Sequence, residues 1–219
     1  APGVDRARGL VGVRTRWRWR PAGAPCAGRV ALVTGAGSPA GTGFATARLL
    51  GLHGATVAIA STTDRILDRV AELTDEGIRA SGHVGDLSAP GVPERIVHEV
   101  LAANGGRLDT LVNNAGMIAV GESEVSQHLA DVATDTWHRG IAQNLGIPFA
   151  VTRAALPPIV ASGRGRIVFV SSVTGTLVSN PASTVYGAAK AGIMGLGRGL
   201  AIGGGGDGAT VTAARPGGV

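Results

Sequence analysis

The clearest chemical signal in the sequence is a tyrosine and a lysine four residues apart. Tyr186 is the only tyrosine and Lys190 the only lysine in a chain that otherwise uses arginine for its basic side chains. On a helix, residues at this spacing lie on one face. An ammonium group beside a phenol favours the phenolate, because the nearby positive charge stabilises the ionised form. The pair therefore predicts a tyrosine that donates or accepts a proton.

A second signal is the glycine-rich segment TGAGSPAGTG at residues 34–43. It follows a short β-branched run and precedes helical spacing that begins at Phe44. Glycines let the backbone approach a pyrophosphate, whose charge is met by amide groups at a helix N-terminus. The segment predicts dinucleotide binding. The expected contacts come from Gly35, Gly37, Ser38, Gly41, Thr42 and Gly43.

The end of the second predicted strand bears on the choice of cofactor. That strand, residues 56–60, is followed by Ser61, where an NAD site usually has a carboxylate for the adenosine ribose. Hydroxyls of Ser61 and Thr62 and the cation of Arg65 favour a 2′-phosphate, so NADP(H) is the expected cofactor and NAD(H) the alternative. Asp64 is the counter-argument, since a small shift of the turn would bring its carboxylate to the ribose. The same polar cluster could also cap the next helix, with Asp64 or the residue before it as N-cap.

Short β-branched runs alternate with segments of helical spacing, and these elements must position the candidate residues. The predicted strands are residues 30–33, 57–60, 80–84, 111–112, 167–170 and 210–213, and helical spacing is clearest at residues 44–52, 66–73 and 95–101. This alternation predicts an α/β fold, a doubly wound Rossmann-type parallel sheet with helices on both faces. In such folds ligands bind at the carboxyl ends of the strands.

Composition excludes several classes of protein. The chain has 219 residues, 44% hydrophobic and 16% charged, which suits one folded domain and argues against global disorder. No apolar run is long enough to span a membrane. The single cysteine, Cys26, excludes an internal disulfide, and the five histidines lack metal-ligand spacing, so no metal is expected. These features predict a cytoplasmic protein that is not bound to a membrane.

The net charge of +5 is confined to the start of the chain. Residues 1–28 contain six arginines and one aspartate, so the remaining residues sum to zero. We predict a basic, disordered N-terminal extension over residues 1–28 and a single catalytic domain over residues 29–219. Arginine and tryptophan alternate at residues 16–20, a pattern that can bind phosphates and stack on bases. Nucleic-acid binding is nevertheless not expected, because the body of the protein is neutral.

Five motifs in order together resemble the short-chain dehydrogenase/reductases over roughly residues 28–219. They are residues 34–43, Asn113-Asn114-Ala115-Gly116, Ser171-Ser172, Tyr186 with Lys190, and Arg215-Pro216-Gly217. The resemblance, which is nearest in style to the beta-ketoacyl carrier-protein reductases, implies hydride transfer between NADP(H) and a carbonyl or secondary alcohol. The implied substrate is a small carbonyl or alcohol compound or an acyl thioester. A homo-oligomer, either a tetramer or a dimer, is also implied.

The resemblance also implies catalytic roles. Tyr186 would be the general acid/base, and Lys190 would hold the nicotinamide ribose and stabilise the tyrosinate. Ser172 would hydrogen-bond the substrate oxygen, and Asn144 would order a proton-relay water. Two alternatives stay open: Ser171 could replace Ser172, and Asn144 could be a solvated helix residue.

Further cofactor contacts follow from the same resemblance. Asp86 and Leu87 would lie near the adenine. Asn113, Ala115 and Gly116 would line the cofactor, and Pro216 and Gly217 would form a turn on the nicotinamide side.

The sequence departs from the family pattern at three places. Counted from Gly35, the glycine turn is two residues longer than usual, whereas counting from Gly37 replaces the threonine by Ala36. The interval of 14 from the serine to the tyrosine is one more than common, which a loop at residues 179–183 would absorb. Family members usually continue past the position of Val219, so we expect the C-terminal part to be truncated. A catalytically silent cofactor-binding fragment, or an anionic-surface binder acting through the arginine-rich extension, is the alternative function.

Overall fold

Strands and helices alternate along residues 23–116, 128–179, 183–204 and 208–217, which are the residues that the computed structural model describes. The first half contains β1 (Val30–Thr34), α1 (Thr42–Leu52), β2 (Thr56–Ser61), α2 (Arg65–Asp75), β3 (Ala80–Val84), α3 (Val92–Ala103) and β4 (Thr110–Asn113). The second half contains a 3-10 turn (Leu129–Asp131), α4 (Thr134–Ile141), a π-helical segment (Ala142–Gly146), α5 (Ile147–Ala161), β5 (Gly165–Val170), α6 (Thr184–Gly204) and β6 (Ala209–Ala214). All six predicted strands are confirmed.

The strands form one parallel sheet in the order β3-β2-β1-β4-β5-β6. The chain starts at β1 in the centre, proceeds outward to β3, and then returns to β4 on the other side of β1. A change of direction between β1 and β4 opens a crevice outside their carboxyl ends, which is where ligands bind in open α/β sheets. The predicted doubly wound fold is confirmed.

Each face of the sheet has its own apolar core. On one face, Phe44 of α1 and Ile66 and Leu73 of α2 pack on Val33 and Ile59. On the other face, the core comprises Ile96 and Val100 of α3, Ile159 of α5, Ile193 of α6, and Leu32, Leu111 and Phe169 of the strands. Because helices cover both faces, neighbouring residues of β1 are buried on opposite sides, and each large side chain contributes about 1.5–3 kcal/mol.

A buried carboxylate joins the amino ends of three strands. Asp109 accepts a hydrogen bond from the backbone N–H of Val30 at 2.8 Å and from Arg164 Nε at 2.9 Å. Arg107 Nη2 lies 3.4 Å from the same carboxylate. Burial favours the neutral acid, but the Val30 and Arg164 hydrogen bonds and the two guanidinium charges outweigh it and hold the pKa of Asp109 below its ordinary value.

The described part of the predicted N-terminal extension, residues 23–28, contacts the body. The N–H of Cys26 donates to the carbonyl of His53 at 3.0 Å. The carbonyl of Gly28 accepts hydrogen bonds from Arg107 at 2.8 Å and Arg164 at 2.7 Å. Two of these six residues, Cys26 and Gly28, thus have backbone hydrogen bonds to the folded domain, which differs from the expected disorder. Residues 1–22 lie outside the described residues, and the boundary at residue 28 stays a prediction.

The described ranges contain neither a cluster of metal ligands nor a membrane-spanning helix. No group of three His, Cys, Asp or Glu side chains there is arranged to hold a metal ion. No described helix is long and apolar enough to cross a membrane.

Candidate active site

The carboxyl edge of the sheet brings together most of the predicted site residues. The glycine turn follows β1, residues 113–116 end and follow β4, and residues 171–172 follow β5. These three strands are neighbours in one parallel sheet, so their carboxyl ends lie side by side. The turn at residues 215–217 follows β6 at the same edge.

Tyr186 and Lys190 share one face of α6, next to the end of β5. Lys190 Nζ lies 5.4 Å from the centroid of the Tyr186 ring and donates a hydrogen bond to the carbonyl of Val170 at 3.1 Å. Lys190 is only 3% exposed. Burial disfavours the charged amine and lowers the pKa of Lys190 to about 8. The ammonium group is therefore held between a strand end and the phenol.

The two serines after β5 have different partners. Ser171 is buried, and its Oγ donates to the carbonyl of Lys190 at 2.8 Å. Ser172 Oγ accepts the N–H of Thr174 at 3.1 Å, and no described residue accepts the hydrogen of its hydroxyl. Ser172 thus keeps a donor for a ligand, whereas the donor of Ser171 is used in the fold. Its role as the substrate-binding serine stays a prediction.

Asn144 lies in the π-helical segment between α4 and α5. It is 4% exposed, its Nδ2 donates to the carbonyl of Gly140 at 3.1 Å, and its Oδ1 is buried without a partner among the described residues. The alternative of a solvated helix residue is wrong. Leaving a buried acceptor unpaired costs about 1–3 kcal/mol, so this oxygen needs a donor from a ligand or a water. π-Helical turns are frequent at functional sites.

Glycines on two neighbouring elements allow the backbone and side chains of the π-helical segment to approach closely. A Cβ atom on Gly116, just after β4, would lie 3.1 Å from the carbonyl oxygen of Gln143. A Cβ atom on Gly192 of α6 would lie 2.8 Å from Leu145 Cδ2. The segment containing Asn144 is therefore packed closely between β4 and α6.

The glycine turn has the register that begins at Thr34 and Gly35. Gly35 has a φ of +70°, and a Cβ atom there would lie 2.8 Å from the Cα of Ala115. The N–H of Gly41 donates to the carbonyl of Ser38 at 3.1 Å, and α1 begins at Thr42. Residues 38–40, in the middle of this turn, are exposed. The insertion therefore lengthens the loop without moving the glycines at its two ends out of contact with the sheet.

Thr34 and Asn114 join the glycine turn to β4, although neither was a predicted site residue. Thr34 Oγ1 accepts the N–H groups of Asn114 at 3.1 Å and Ala115 at 3.0 Å. Asn114 Nδ2 donates to the carbonyls of Thr34 at 3.1 Å and Gly35 at 3.0 Å. Both residues belong to recognised motifs, but sequence spacing does not show that these motifs contact each other.

The first turn of α1 fits the phosphate groups of a dinucleotide. It contains no acidic residue and has no side-chain cap, and the first amide groups of a helix lack intrahelical acceptors. In contrast, the first turns of α2 and α3 contain Asp68 and Glu94. The amino end of α1 is thus free to bind an anion.

The end of β2 differs in part from expectation. A Cβ atom on Gly37 would lie 2.8 Å from Ser61 Oγ and 3.0 Å from Arg65 Nε, so both side chains flank the glycine turn. Ser61 is buried, and its Oγ bonds to the N–H and the carbonyl of Thr63 at 3.2 and 3.0 Å. Its hydroxyl therefore closes the local turn, while Arg65 is exposed. Asp64 occupies the N-cap position of α2, but its side chain does not cap the helix.

The remaining predicted contacts divide into exposed and buried groups. Asp86 is exposed, and its Oδ1 accepts the N–H and the hydroxyl of Ser88. The side chain of Leu87 lies in the apolar core, which leaves only its backbone for a cofactor. Asn113 is also buried, and its Nδ2 donates to Thr152 Oγ1 at 2.8 Å.

The turn after β6 is tied to the segment after β5. The carbonyl of Pro216 accepts the N–H of Val173 at 3.1 Å. A Cβ atom on Gly217 would lie 4.0 Å from the Val173 side chain. Pro216 and Gly217 are therefore beside the segment that contains Ser172.

Comparison with curated proteins finds oxidoreductases. Oxidoreductase UcpA of Escherichia coli K12 is 35% identical over 175 residues, which are 80% of this chain and 63% of that protein. D-beta-hydroxybutyrate dehydrogenase of Rhizobium meliloti is 35% identical over 194 residues, 86% of this chain and 70% of that protein. The chain thus spans less than two thirds of the length of UcpA.

Solved structures show the same fold. A short chain dehydrogenase from Mycobacterium smegmatis superposes with a TM-score of 0.80 at 31% identity, covering 89% of this chain and 78% of that one. A structure from Beutenbergia cavernae that contains NADP at low occupancy has a TM-score of 0.78 at 34% identity, covering 87% and 72% of the two chains. The family model for short chain dehydrogenases matches residues 29–219. The chain belongs to the short-chain dehydrogenase/reductase family.

Proposed function

We propose that this chain forms the catalytic part of an NADP(H)-dependent carbonyl reductase or alcohol dehydrogenase. The substrate class is a ketone, a secondary alcohol or a beta-ketoacyl thioester. The observation that carries the proposal is the buried ammonium of Lys190, 5.4 Å from the centroid of the Tyr186 ring, at the carboxyl edge of the sheet where the glycine turn also lies.

The chain's own residues can move the proton. Tyr186 donates its hydroxyl proton to the carbonyl oxygen of the substrate, and the positive charge of Lys190 stabilises the phenolate that remains. With a pKa of about 8, Lys190 is mostly cationic at neutral pH. Ser172 donates a hydrogen bond to the same substrate oxygen. When bound, the nicotinamide supplies the hydride or accepts it in the reverse direction.

Asn144 supports the return of a proton to the tyrosine. Its buried Oδ1 has no partner among the described residues, which suits an acceptor that holds a water molecule. That water would connect the site with solvent while the Nδ2 group remains bonded to Gly140. The catalytic set proposed here is therefore Asn144, Ser172, Tyr186 and Lys190.

The preference for NADP(H) rests on the charges at the end of β2. The amino end of α1 and the glycine turn would hold the pyrophosphate, and Arg65 and Thr62 would bind the 2′-phosphate. Ser61 closes the local turn and brings no negative charge that would repel this phosphate. Asp64, which does not cap α2, supports the alternative of ribose binding and NAD(H).

A substrate panel tests the proposal. NADPH and NADH oxidation should be followed with simple ketones and beta-ketoacyl thioesters, and the reverse reaction with secondary alcohols. We expect turnover of at least one compound, faster with NADPH. Tight cofactor binding without turnover of any compound would instead support the catalytically silent fragment.

We also propose that the protein is a homo-oligomer that assembles through α4 and α5. Trp137 and Phe149 are 38% and 50% exposed on these helices. Arg153 lies 5.7 Å from the Phe149 ring centroid and extends the apolar surface with its aliphatic stem. Sedimentation velocity should give the mass of a dimer or tetramer, whereas a monomer at all concentrations would contradict the proposal.

A further inference from the structure

The segment that follows β5 is fixed to α6 just before Ser172. Ser171 Oγ donates to the backbone carbonyl of Lys190 at 2.8 Å, and both residues are buried. The N–H of Ser171 donates to the carbonyl of Ala214 at 2.8 Å. Ser171 is therefore held by α6 on one side and by β6 on the other.

The same segment contacts α6 again at Gly175, three residues after Ser172. Gly175 has a φ of +82°, and a Cβ atom there would lie 2.6 Å from both the Cα and the carbonyl carbon of Gly187. Real Cβ contacts are essentially never shorter than 3.0 Å. Because the obstacle is the helix backbone, no side-chain rotation could relieve it. Gly175 thus allows the segment to rest directly against the residue that follows Tyr186.

Hydrogen bonds connect the residues of this segment from Ser172 to Val178. Thr176 Oγ1 donates to the carbonyl of Ser172, and Ser172 Oγ accepts the N–H of Thr174. The N–H of Gly175 donates to the carbonyl of Val178 at 2.8 Å. A shift at Gly175 would therefore be transmitted to Ser172 through bonded groups and not absorbed by a loose loop.

We infer that Ser171 and Gly175 are positioning residues that together set the distance between the Ser172 hydroxyl and the Tyr186 phenol. They hold the segment on both sides of Ser172. Their partners on α6 are Gly187, which directly follows Tyr186, and Lys190, which lies one turn beyond Tyr186. The catalytic meaning of this geometry rests on the proposed function. The position of Ser172 relative to Tyr186 does not depend on the proposed function.

The glycine contact can be tested with a matched pair of variants. Gly175→Ala adds a methyl group that meets the Gly187 backbone, whereas Gly163→Ala adds one at a similar φ of +66° with nothing within 4 Å. We expect Gly175→Ala to lower kcat by about tenfold to a hundredfold, since small misplacements of reacting groups have effects of this size. The Kd for the cofactor should stay unchanged, and Gly163→Ala should keep the wild-type kcat.

A second measurement does not depend on turnover. Tyr186 is the only tyrosine in the chain, so protein labelled with fluorotyrosine gives a single fluorine NMR resonance from the site. We expect Gly175→Ala to shift this resonance in the cofactor-free protein and Gly163→Ala to leave it in place. If the wild type turns over no substrate, the proposed function fails, but the resonance still tests the positioning. A Gly175→Ala variant with wild-type kcat or an unshifted resonance would overturn the inference.

The hydroxyl of Ser171 provides a milder variant should Gly175→Ala fail to fold. Ser171→Ala removes the bond to Lys190, and Ser162→Ala removes a similar bond of 2.7 Å to Ile159 at the opposite edge of the sheet. We expect the first variant to lower kcat and shift the resonance, and the second to do neither. Equal effects of the two variants would mean that Ser171 is a structural residue only.

Discussion

Among single residues, Lys190 makes the stability of the protein depend on pH in the alkaline range. Burial lowers the pKa of Lys190 from 10.5 to about 8. Below about pH 8 the folded protein must bury a protonated lysine, which lowers the free energy of unfolding. This cost disappears as the pH rises from about 8 to 10.5 and is roughly 3 kcal/mol. In urea unfolding, wild type should therefore gain stability relative to Lys190→Met across this window. A difference between the two proteins that does not change with pH would contradict the burial of a titrating lysine.

Ser61 provides a test of cofactor choice. NADPH should bind more tightly than NADH to the wild type, and Ser61→Asp should reverse this order because a carboxylate repels the 2′-phosphate and accepts ribose hydroxyls. Ser61→Asn, which has a similar size and no charge, is the matched control and should keep the preference. Fluorescence titration with both cofactors measures the four affinities. A wild type that prefers NADH would point to Asp64 as the ribose ligand.

Sequence alone identified the reactive side chains but not their partners. Tyr186 and Lys190 were found because each is the only residue of its type, and i,i+4 spacing placed them on one face. The bonds from Thr34 to residues 114–115 join positions about 80 apart in the chain, a separation that no local pattern records. The prediction of Leu87 as a contact could not distinguish its buried side chain from its backbone.

Among the secondary-structure elements, the contact of α1 with β4 depends on Gly43. A Cβ atom there would lie 2.5 Å from Asn114 Nδ2 and 2.6 Å from the carbonyl oxygen of Gly35. Gly43→Ala should therefore lower stability by about 1–3 kcal/mol, the usual cost of overpacking, and weaken cofactor binding. Gly199→Ala on α6 meets nothing within 4 Å and should raise stability by about 0.5–1 kcal/mol. Thermal unfolding of both variants checks this, and a stable Gly43→Ala with normal cofactor affinity would contradict it.

Strands and helices were predicted correctly where the spacing of apolar residues fitted only one type of element. Buried parallel strands such as β1 and β2 give continuous apolar runs, whereas the edge strand β3, with the sequence ASGHV and partial burial, gives a weaker signal. The π-helical segment at Ala142–Gly146 could not be predicted, because a local change of hydrogen bonding leaves the apolar spacing of a helix nearly unaltered. The register of the glycine turn could not be chosen from the sequence, because counting from Gly35 gives two extra residues and counting from Gly37 puts Ala36 in place of the threonine.

For the molecule as a whole, the contacts of residues 23–28 predict that an N-terminal deletion which removes them lowers stability. A protein lacking residues 1–28 loses the bond from Cys26 to His53 and the Gly28 carbonyl that accepts from Arg107 and Arg164. Its Tm should therefore be lower than that of a protein lacking only residues 1–22. Equal Tm values would mean that these contacts contribute nothing. The charge pattern of the sequence could not predict these contacts, because residues 23–28 are all uncharged.

Protonation of the substrate carbonyl by the phenol of Tyr186 can be tested by removing a single oxygen atom. Tyr186→Phe removes only the hydroxyl and leaves the buried Lys190 and the glycine turn in place. Turnover and NADPH affinity should be measured together on the substrate that the wild type reduces best. We expect kcat to fall by about 10² to 10⁴-fold, as is typical for the loss of a general acid, with the Kd for NADPH unchanged. A Tyr186→Phe protein with near wild-type kcat would contradict the mechanism.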